Sequence, residues 1–261
     1  MRGTAAYAIL YLLFLYAPVL LLPLFSFNDS VFVAFPLSGL TAKWYSAMAA
    51  DDDMRIALFN SLKVGVAASI ASTLLGLTIA QVLTRGIPGR RLITGFSNLP
   101  LFIPDIVLGI SLLILMSRLA IPLSLATVIL GHLALCLPFA AGVLLSRFEG
   151  FDLGLEEASR DLGENAWMTF FRVTLPLVAP GIAASLILTF VVSFDDFLIA
   201  FFLCGTDTTL PVYIWGELRF PDKLPNVLAL GSTILVVSSI LIVSAEWMRR
   251  RGAPSQLRGA N

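Results

Sequence analysis

Residues 177–203 read LVAPGIAASLILTFVVSFDDFLIAFFL and contain two charged side chains, Asp195 and Asp196. About 20 consecutive apolar residues in an α-helix cross the roughly 30 Å hydrocarbon core of a bilayer. The stretch therefore predicts a membrane-spanning helix. An acid at the centre of such a helix costs about 2.5–3.5 kcal/mol on the insertion scale, so the default interpretation of the pair is a transport pathway. A structural role near the outer end of the span is the alternative.

The composition of the whole chain is typical of a membrane protein. Of the 261 residues, 58% are hydrophobic and 13% are charged, whereas a typical soluble domain carries about 25% charged residues. A soluble fold of this length would lack the charge to cover its surface, which excludes an ordinary soluble enzyme, a disordered protein and a nucleic-acid-binding protein. The formal net charge is zero, so only the positions of the charges are informative.

Six long apolar runs predict an all-α membrane protein with six transmembrane helices. The predicted spans are residues 5–27, 64–84, 96–116, 119–146, 177–203 and 224–245. The first run is longer than the 7–15 residues of a signal-peptide core and lacks a clear A-x-A site, so we expect it to be retained. The third run contains Asp105, which follows Pro104 and could either begin a helix or line a pathway.

The basic residues are distributed unevenly between the two sides of these spans. Eleven lie on one side and six on the other, so the positive-inside rule predicts that both termini are cytoplasmic. The predicted outer loop, residues 29–59, contains TAKWY at 41–45, which suits a short surface helix. The eleven are Arg2, Arg85, Arg90, Arg91, Arg147, Arg160, Arg172, Arg249, Arg250, Arg251 and Arg258.

The predicted cytoplasmic loop contains LEEASRDLGENAWMTFFRVTLP at residues 155–176. Leu155, Ala158 and Leu162 are spaced three and four apart, which predicts a short helix with one apolar face. Gly163 is well placed to end that helix, because glycine tolerates a positive φ at this position.

The second half of the same segment predicts another helix. Asn165 can cap it, and Pro176 suits the first turn of the following span. Trp167, Phe170 and Phe171 supply an apolar surface. A solvated loop remains the alternative, but aromatic residues at this density favour a surface that docks onto something.

The spacing of this helix–glycine–helix elbow resembles the EAA loop of type I ATP-binding-cassette importer permeases. That loop is written E-A-A, three residues, G, nine residues, I, one residue, L-P. The chain departs from it at two positions, with Ser159 for the second alanine and Val173 for isoleucine. The matching positions, with Ser159, are Glu157, Ala158, Ser159, Gly163, Leu175 and Pro176.

The resemblance covers roughly residues 55–250. It implies an N-terminal helix with an external loop at 1–54, a transmembrane core at 55–248 holding the EAA loop at 147–176, and a basic cytoplasmic tail at 249–261. It also implies that the elbow is a coupling helix seated on a cytoplasmic ATPase dimer, with Glu157 as a charge partner near that interface. The other implied partners are a second permease subunit, in a heterodimer, and an external substrate-binding protein.

The chain itself is not predicted to be an enzyme. Its three lysines are Lys43, Lys63 and Lys223, and none follows a glycine, so the Gly-Lys pair of a Walker A loop is absent from the sequence. Cys136 and Cys204 are isolated and read as small buried hydrophobes, neither a disulfide framework nor a metal site. We therefore expect no catalytic residue, metal site or bound cofactor here, with ATP and Mg held by the partner ATPase.

A narrower resemblance concerns the substrate. Residues 193–197, SFDDF, and residues 208–215, TTLPVYIW, are similar to the spermidine/putrescine branch of these bacterial inner-membrane permeases. Polyamine cations are the substrates that this branch implies, with carboxylates pairing with ammonium groups and aromatic rings contacting the cation. The candidate pathway residues are Asp195, Asp196, Phe194, Phe197, Asp105 and Trp215.

Other functions remain open from the sequence. The same machinery could import an opine or an amino-acid derivative. An ion-coupled secondary transporter could also use acids inside the membrane, and a membrane scaffold would leave both the elbow and the acids unexplained.

Overall fold

The computed structural model describes residues 2–85 and 89–251, so the predicted tail from residue 252 onward lies outside the described residues. Helices dominate the described chain, joined by short 3₁₀ segments at Leu99–Phe102 and Pro221–Lys223. The helices are α1 (Arg2–Ser26), α2 (Lys43–Ala49), α3 (Asp52–Thr84), α4 (Arg90–Asn98), α5 (Asp105–Arg118), α6 (Leu125–Glu149), α7 (Gly154–Asp161), α8 (Ala166–Thr169), α9 (Leu175–Asp195), α10 (Leu198–Leu203), α11 (Leu210–Glu217) and α12 (Leu224–Arg251).

The all-α membrane class is confirmed. Within the described residues, five helical segments are long and apolar enough to cross a membrane, and a bent pair makes a sixth if it counts as one span. The short helix expected in the outer loop is α2, but that loop ends earlier than predicted because α3 already begins at Asp52. The five segments are Tyr7–Ser26, Asp52–Thr84, Leu125–Glu149, Ala166–Asp195 and Pro221–Ser244.

The prediction of a single continuous helix over the whole span 96–116 was wrong, and the alternative that Asp105 begins a helix is confirmed. The segments Arg90–Phe102 and Asp105–Arg118 meet at an angle of 105°. The cause is Pro104, which lacks a backbone N–H and disfavours the helical conformation of the residue before it. Ile103 is accordingly extended, with φ −95° and ψ 124°.

The prediction that one helix runs through residues 177–203 was also wrong. Helix α9 ends at Asp195, and Asp196 is extended with ψ 127°. A carboxylate oxygen of Asp196 accepts hydrogen bonds from the backbone N–H groups of Ile199 and Ala200 at 3.0 and 3.2 Å. These bonds satisfy donors at the start of α10, so the acid caps a new helix. The two acids therefore do not lie on one helix.

The chain forms two compact units. One comprises the residues up to Phe59 together with Leu210–Ser239, and the other comprises Asn60–Thr209 together with the residues from Ile240 onward. In the second unit, α6 packs along α9. A buried core cluster in that unit consists of Leu77, Ala80, Leu144, Phe148 and Val178, with Phe170 packed against it.

Gly76 marks a close approach of α3 to α6, and we expect Gly76→Val to destabilise the protein. An added Cβ would lie 2.8 Å from the Cβ of Ala140 and 2.9 Å from the backbone nitrogen of Ala141. Backbone cannot yield as a flexible side chain does, so the free energy of unfolding should fall by about 1–3 kcal/mol. Thermal unfolding of the detergent-solubilised protein measures this.

Gly142→Val is the matched control, because a Cβ at Gly142 meets nothing within 4 Å. Equal destabilisation by both substitutions would mean that helix propensity, and not the contact with α6, explains the effect.

Candidate functional site

An acidic cavity of about 300 Å³ lies within the second unit. Three of the residues that line it are carboxylates, and these are the three acids that the sequence analysis selected. The remaining lining residues are mostly apolar and come from the bend before α5, from α6 and from α9. The full lining is Pro100, Leu101, Ile103, Asp105, Leu135, Phe139, Val192, Asp195 and Asp196.

The two breaks in the predicted helices place these acids together. Asp105 is the first residue of α5, directly after the bend at Pro104. Asp195 is the last residue of α9, and Asp196 occupies the break before α10. Because both interruptions open onto the same cavity, acids that are 90 residues apart in the sequence line one space.

Asp196 is held in place by its neighbours. Its side chain is 8% exposed, and its Oδ2 lies 3.1 Å from Nε2 of His132. The His132 ring is buried, and its Nδ1 lies 2.7 Å from the hydroxyl oxygen of Ser193. The Nε2 atom makes no hydrogen bond within the described residues, so its contact with the carboxylate is one of proximity. His132 is thus a buried, hydrogen-bonded histidine that braces Asp196.

Asp195 differs from Asp196 in its surroundings. It is solvent-exposed, as is Asp105. Among the described residues, neither carboxylate takes part in an ion pair or a side-chain hydrogen bond. Their oxygens are therefore available to a ligand in the cavity, whereas the Asp196 carboxylate already serves α10.

The predicted aromatic residues lie elsewhere. Phe194 stacks on Phe190 with ring centroids 5.6 Å apart, and Phe197 contacts Phe201 at 5.3 Å. Neither lines the cavity. Trp215 lies on α11 in the other unit and is 48% exposed.

The aromatic residue of the cavity is Phe139, which the sequence analysis missed. The sequence signal that could have identified it is its spacing from His132 and Leu135, since residues i, i+3 and i+7 share one face of a helix. Helix α6 therefore presents a histidine, a leucine and a phenylalanine on the face that meets the break in α9.

Substitution of His132 should reveal its bracing role. His132→Leu leaves the Ser193 hydroxyl without its buried partner and the Asp196 carboxylate against an apolar group. Unsatisfied buried polar groups cost about 1–3 kcal/mol, so we expect thermal unfolding of the purified protein at a lower temperature. Ser193→Ala removes one hydroxyl and should cost less, and a larger loss for Ser193→Ala would contradict the bracing role.

The elbow has the local structure that its sequence predicts. Helix α7 ends next to Gly163, whose φ is +91°, and the side chain of Asn165 accepts a hydrogen bond from the Met168 N–H at 2.8 Å. Helix α8 continues through a π-helical turn, Phe170–Thr174, directly into α9. The second half of the elbow is therefore one rod with the span that ends at Asp195.

The elbow exposes the apolar surface that suggested docking. Leu162 is 87% exposed and Trp167 is 73% exposed. Of the residues matched to the EAA loop, Glu157, Ala158 and Pro176 are exposed and Leu175 is half-buried. The Ser159 hydroxyl lies 3.1 Å from the Thr169 hydroxyl across the turn. The elbow thus has an inner side held by a hydrogen bond and an outer side that exposes apolar residues.

Comparison with known proteins identifies what this arrangement resembles. Residues 72–253 match the family described as binding-protein-dependent transport system inner membrane component. The chain is 33% identical over 249 residues to the spermidine/putrescine transport system permease protein PotC of Escherichia coli K12, covering 95% of this chain and 92% of that one. It is 35% identical to the putrescine transport system permease protein PotI of the same strain, covering 94% and 90%.

A solved structure shares the fold. A chain of the bacterial alginate ABC transporter, crystallised with an alginate-bound periplasmic protein, superposes with a TM-score of 0.69 at 17% identity. The superposition covers 96% of this chain and 93% of the other. The architecture is that of a type I ABC importer membrane domain.

Proposed function

Because the chain belongs to the family of binding-protein-dependent transport system inner membrane components, we propose that it forms part of the pathway of an importer for putrescine and spermidine. It is a multi-pass, non-catalytic permease subunit of an ABC transporter in the bacterial inner membrane. An ATPase in a separate chain and a binding protein are its partners.

The observation that carries the substrate proposal is the convergence of three carboxylates on one cavity. Its volume of about 300 Å³ is at the lower end of ordinary ligand pockets and suits a small, slender solute. At an effective dielectric of about 20, a carboxylate attracts an ammonium group 4 Å away by about 4 kcal/mol. An acidic space of this size therefore favours an organic cation.

Two of the acids, which make no ion pair or side-chain hydrogen bond among the described residues, can serve as ligands. We assign Asp195 and Asp105 to the ammonium groups of the solute and Asp196 to holding the start of α10 beside them. Phe139 supplies a ring that can contact either an ammonium group or the methylene chain. The names of PotC and PotI, which refer to spermidine and putrescine, agree with this chemistry.

The alternative substrates and the alternative mechanism fit the site less well. An opine or an amino-acid derivative carries a carboxylate of its own, which the three acids would repel. An ion-coupled secondary transporter would need neither an ATPase nor the elbow, and family membership favours the ATP-driven mechanism.

The elbow is proposed to dock onto the ATPase. Its exposed apolar residues, among them Leu162 and Trp167, suit a groove in a partner, and the exposed Glu157 can pair with a base at its edge. Helix α8 is continuous with α9, so a push on the elbow reaches Asp195 along a single rod. We further propose a heterodimer with a second permease, a dimeric ATPase that holds ATP and Mg, and no cofactor bound by this chain.

The experiment is uptake of labelled putrescine into proteoliposomes that hold the complete complex. Omitting in turn ATP, the ATPase, the second permease or the binding protein tests each partner. The proposal expects uptake to require all four components. Uptake that persists without ATP and responds to an ion gradient would establish a secondary transporter instead.

A further inference from the structure

Glu156 is the buried acid of the elbow, and neither the spacing of the segment nor its resemblance to a family selected it. The residue is 5% exposed, whereas the adjacent Glu157 is exposed. Nη2 of Arg85 donates to the two carboxylate oxygens at 3.0 and 2.8 Å, and the Thr174 hydroxyl donates to Oε1 at 2.6 Å. Nη2 of Arg160, one turn further along α7, lies 4.0 Å from Oε2.

These contacts join three separate parts of the second unit. Glu156 lies in α7, the first half of the elbow. Arg85 directly follows α3, and Thr174 is the last residue of the π-helical turn that leads into α9. The carboxylate therefore links α7 to the end of one span and to the start of another.

The chemistry of the link makes it directional. A carboxylate whose side chain is 7% exposed is tolerated because it is paired and hydrogen-bonded. Charge-assisted hydrogen bonds to both of its oxygens fix orientation as well as distance. A second link between the elbow and α3 is Phe170, packed on the core cluster that contains Leu77 and Ala80. Such apolar packing is not directional.

We infer that Glu156 is a positioning residue for transport, which passes a movement of α7 to the end of α3. This inference rests on the proposed function. Movement of the elbow reaches α9 along the chain, through α8 and the π-helical turn. It reaches α3 through the pair of Glu156 and Arg85, so the two spans move together when the partner ATPase displaces the elbow. The role differs from docking, because Glu156 faces inward and its exposed neighbour Glu157 faces outward.

The test is the ratio of putrescine imported to ATP hydrolysed, measured in proteoliposomes that hold the complete complex. Glu156→Gln and Arg85→Gln should each lower this ratio by roughly two- to thirtyfold, the range for residues that carry coupling. Because each removes the same link, the double variant should be no worse than either single one. Thr174→Val removes one of the hydrogen bonds and should have a smaller effect.

Matched controls are Glu149→Gln, an exposed glutamate at the end of α6, and Arg55→Gln, from an exposed ion pair with Asp52. Both should keep the wild-type ratio. Copurification of the ATPase should be unchanged in the Glu156 and Arg85 variants, which separates transmission from docking.

Two results would overturn the inference. One is a wild-type ratio in both Glu156→Gln and Arg85→Gln. The other is loss of the ATPase from the purified complex in these variants, which would make Glu156 a residue of assembly. Failure of the proposed function is visible separately, because the wild-type complex would then show no ATP-dependent uptake at all.

Discussion

Gly163→Arg is expected to lower ATP-driven uptake at least tenfold while ATP hydrolysis continues. Gly163 has φ +91°, a conformation that costs an L-amino acid about 1–2 kcal/mol. A Cβ at this position meets nothing within 4 Å, so the arginine side chain projects outward at the turn. It would place a charge and bulk beside the exposed Leu162 and tilt the docking face away from its partner.

The measurement is uptake and hydrolysis recorded in the same vesicles. We expect uptake to fall at least tenfold, about 1.4 kcal/mol in the coupling free energy. Gly163→Ala retains most of the backbone strain but adds little bulk. It therefore separates the effect of strain from that of the arginine side chain, and it should lose less uptake than Gly163→Arg. Gly150→Arg is the matched control, because the φ of Gly150 is −93°. Normal uptake with Gly163→Arg would contradict the coupling role of the elbow.

Asp195→Asn is expected to lower putrescine uptake at least tenfold. The substitution preserves shape and removes the charge of the carboxylate that is exposed, lines the cavity and lacks an ion pair among the described residues. The Coulomb attraction of about 4 kcal/mol at 4 Å is reduced by solvent at an exposed group. A loss of about 1.4 kcal/mol, or tenfold, is therefore the conservative expectation.

Two further variants give this prediction its specificity. Asp207→Asn, at an exposed aspartate in the loop after α10, should leave uptake unchanged. Asp196→Asn should weaken the hydrogen bonds at the start of α10 and remove one negative charge from the cavity. The unfolding temperature of this variant should therefore fall, whereas that of Asp195→Asn should not. Wild-type uptake in Asp195→Asn, Asp196→Asn and the double variant would remove the carboxylate model.

Local sequence predicted the elbow well. The φ of Gly163 and the cap at Asn165 depend on residues within a few positions of each other, where turn and capping chemistry is decisive. The membrane class also followed from the sequence, because it depends on the length of apolar runs and on little else.

The cavity was harder to predict, because two tertiary effects create it. SFDDF at 193–197 contains neither proline nor glycine, the strongest sequence signals of a helix break. Asp196 caps α10 at the break, and His132 contacts it from another helix, a tertiary contact that the local sequence does not show. Pro104 did signal a possible helix start, but the sequence alone left that alternative open.

Glu156 shows the same limit at the elbow. Its partner Arg85 is 71 positions away. Sequence spacing would suggest the nearby Arg160 as its partner first, and the motif draws attention to Glu157 instead. In the structure Glu156 is buried and Glu157 is exposed. The family motif names only Glu157, so it does not show which of the two adjacent glutamates is buried.

The most direct test of the central claim is competition against uptake of labelled putrescine by the complete wild-type complex. The competitors are unlabelled spermidine and 1,4-butanediol, the neutral analogue in which hydroxyl groups replace the amino groups of putrescine. An acidic pathway for organic cations predicts that spermidine inhibits uptake strongly and that the diol, at the same concentration, does not. Equal inhibition by the two, or none by spermidine, would contradict it.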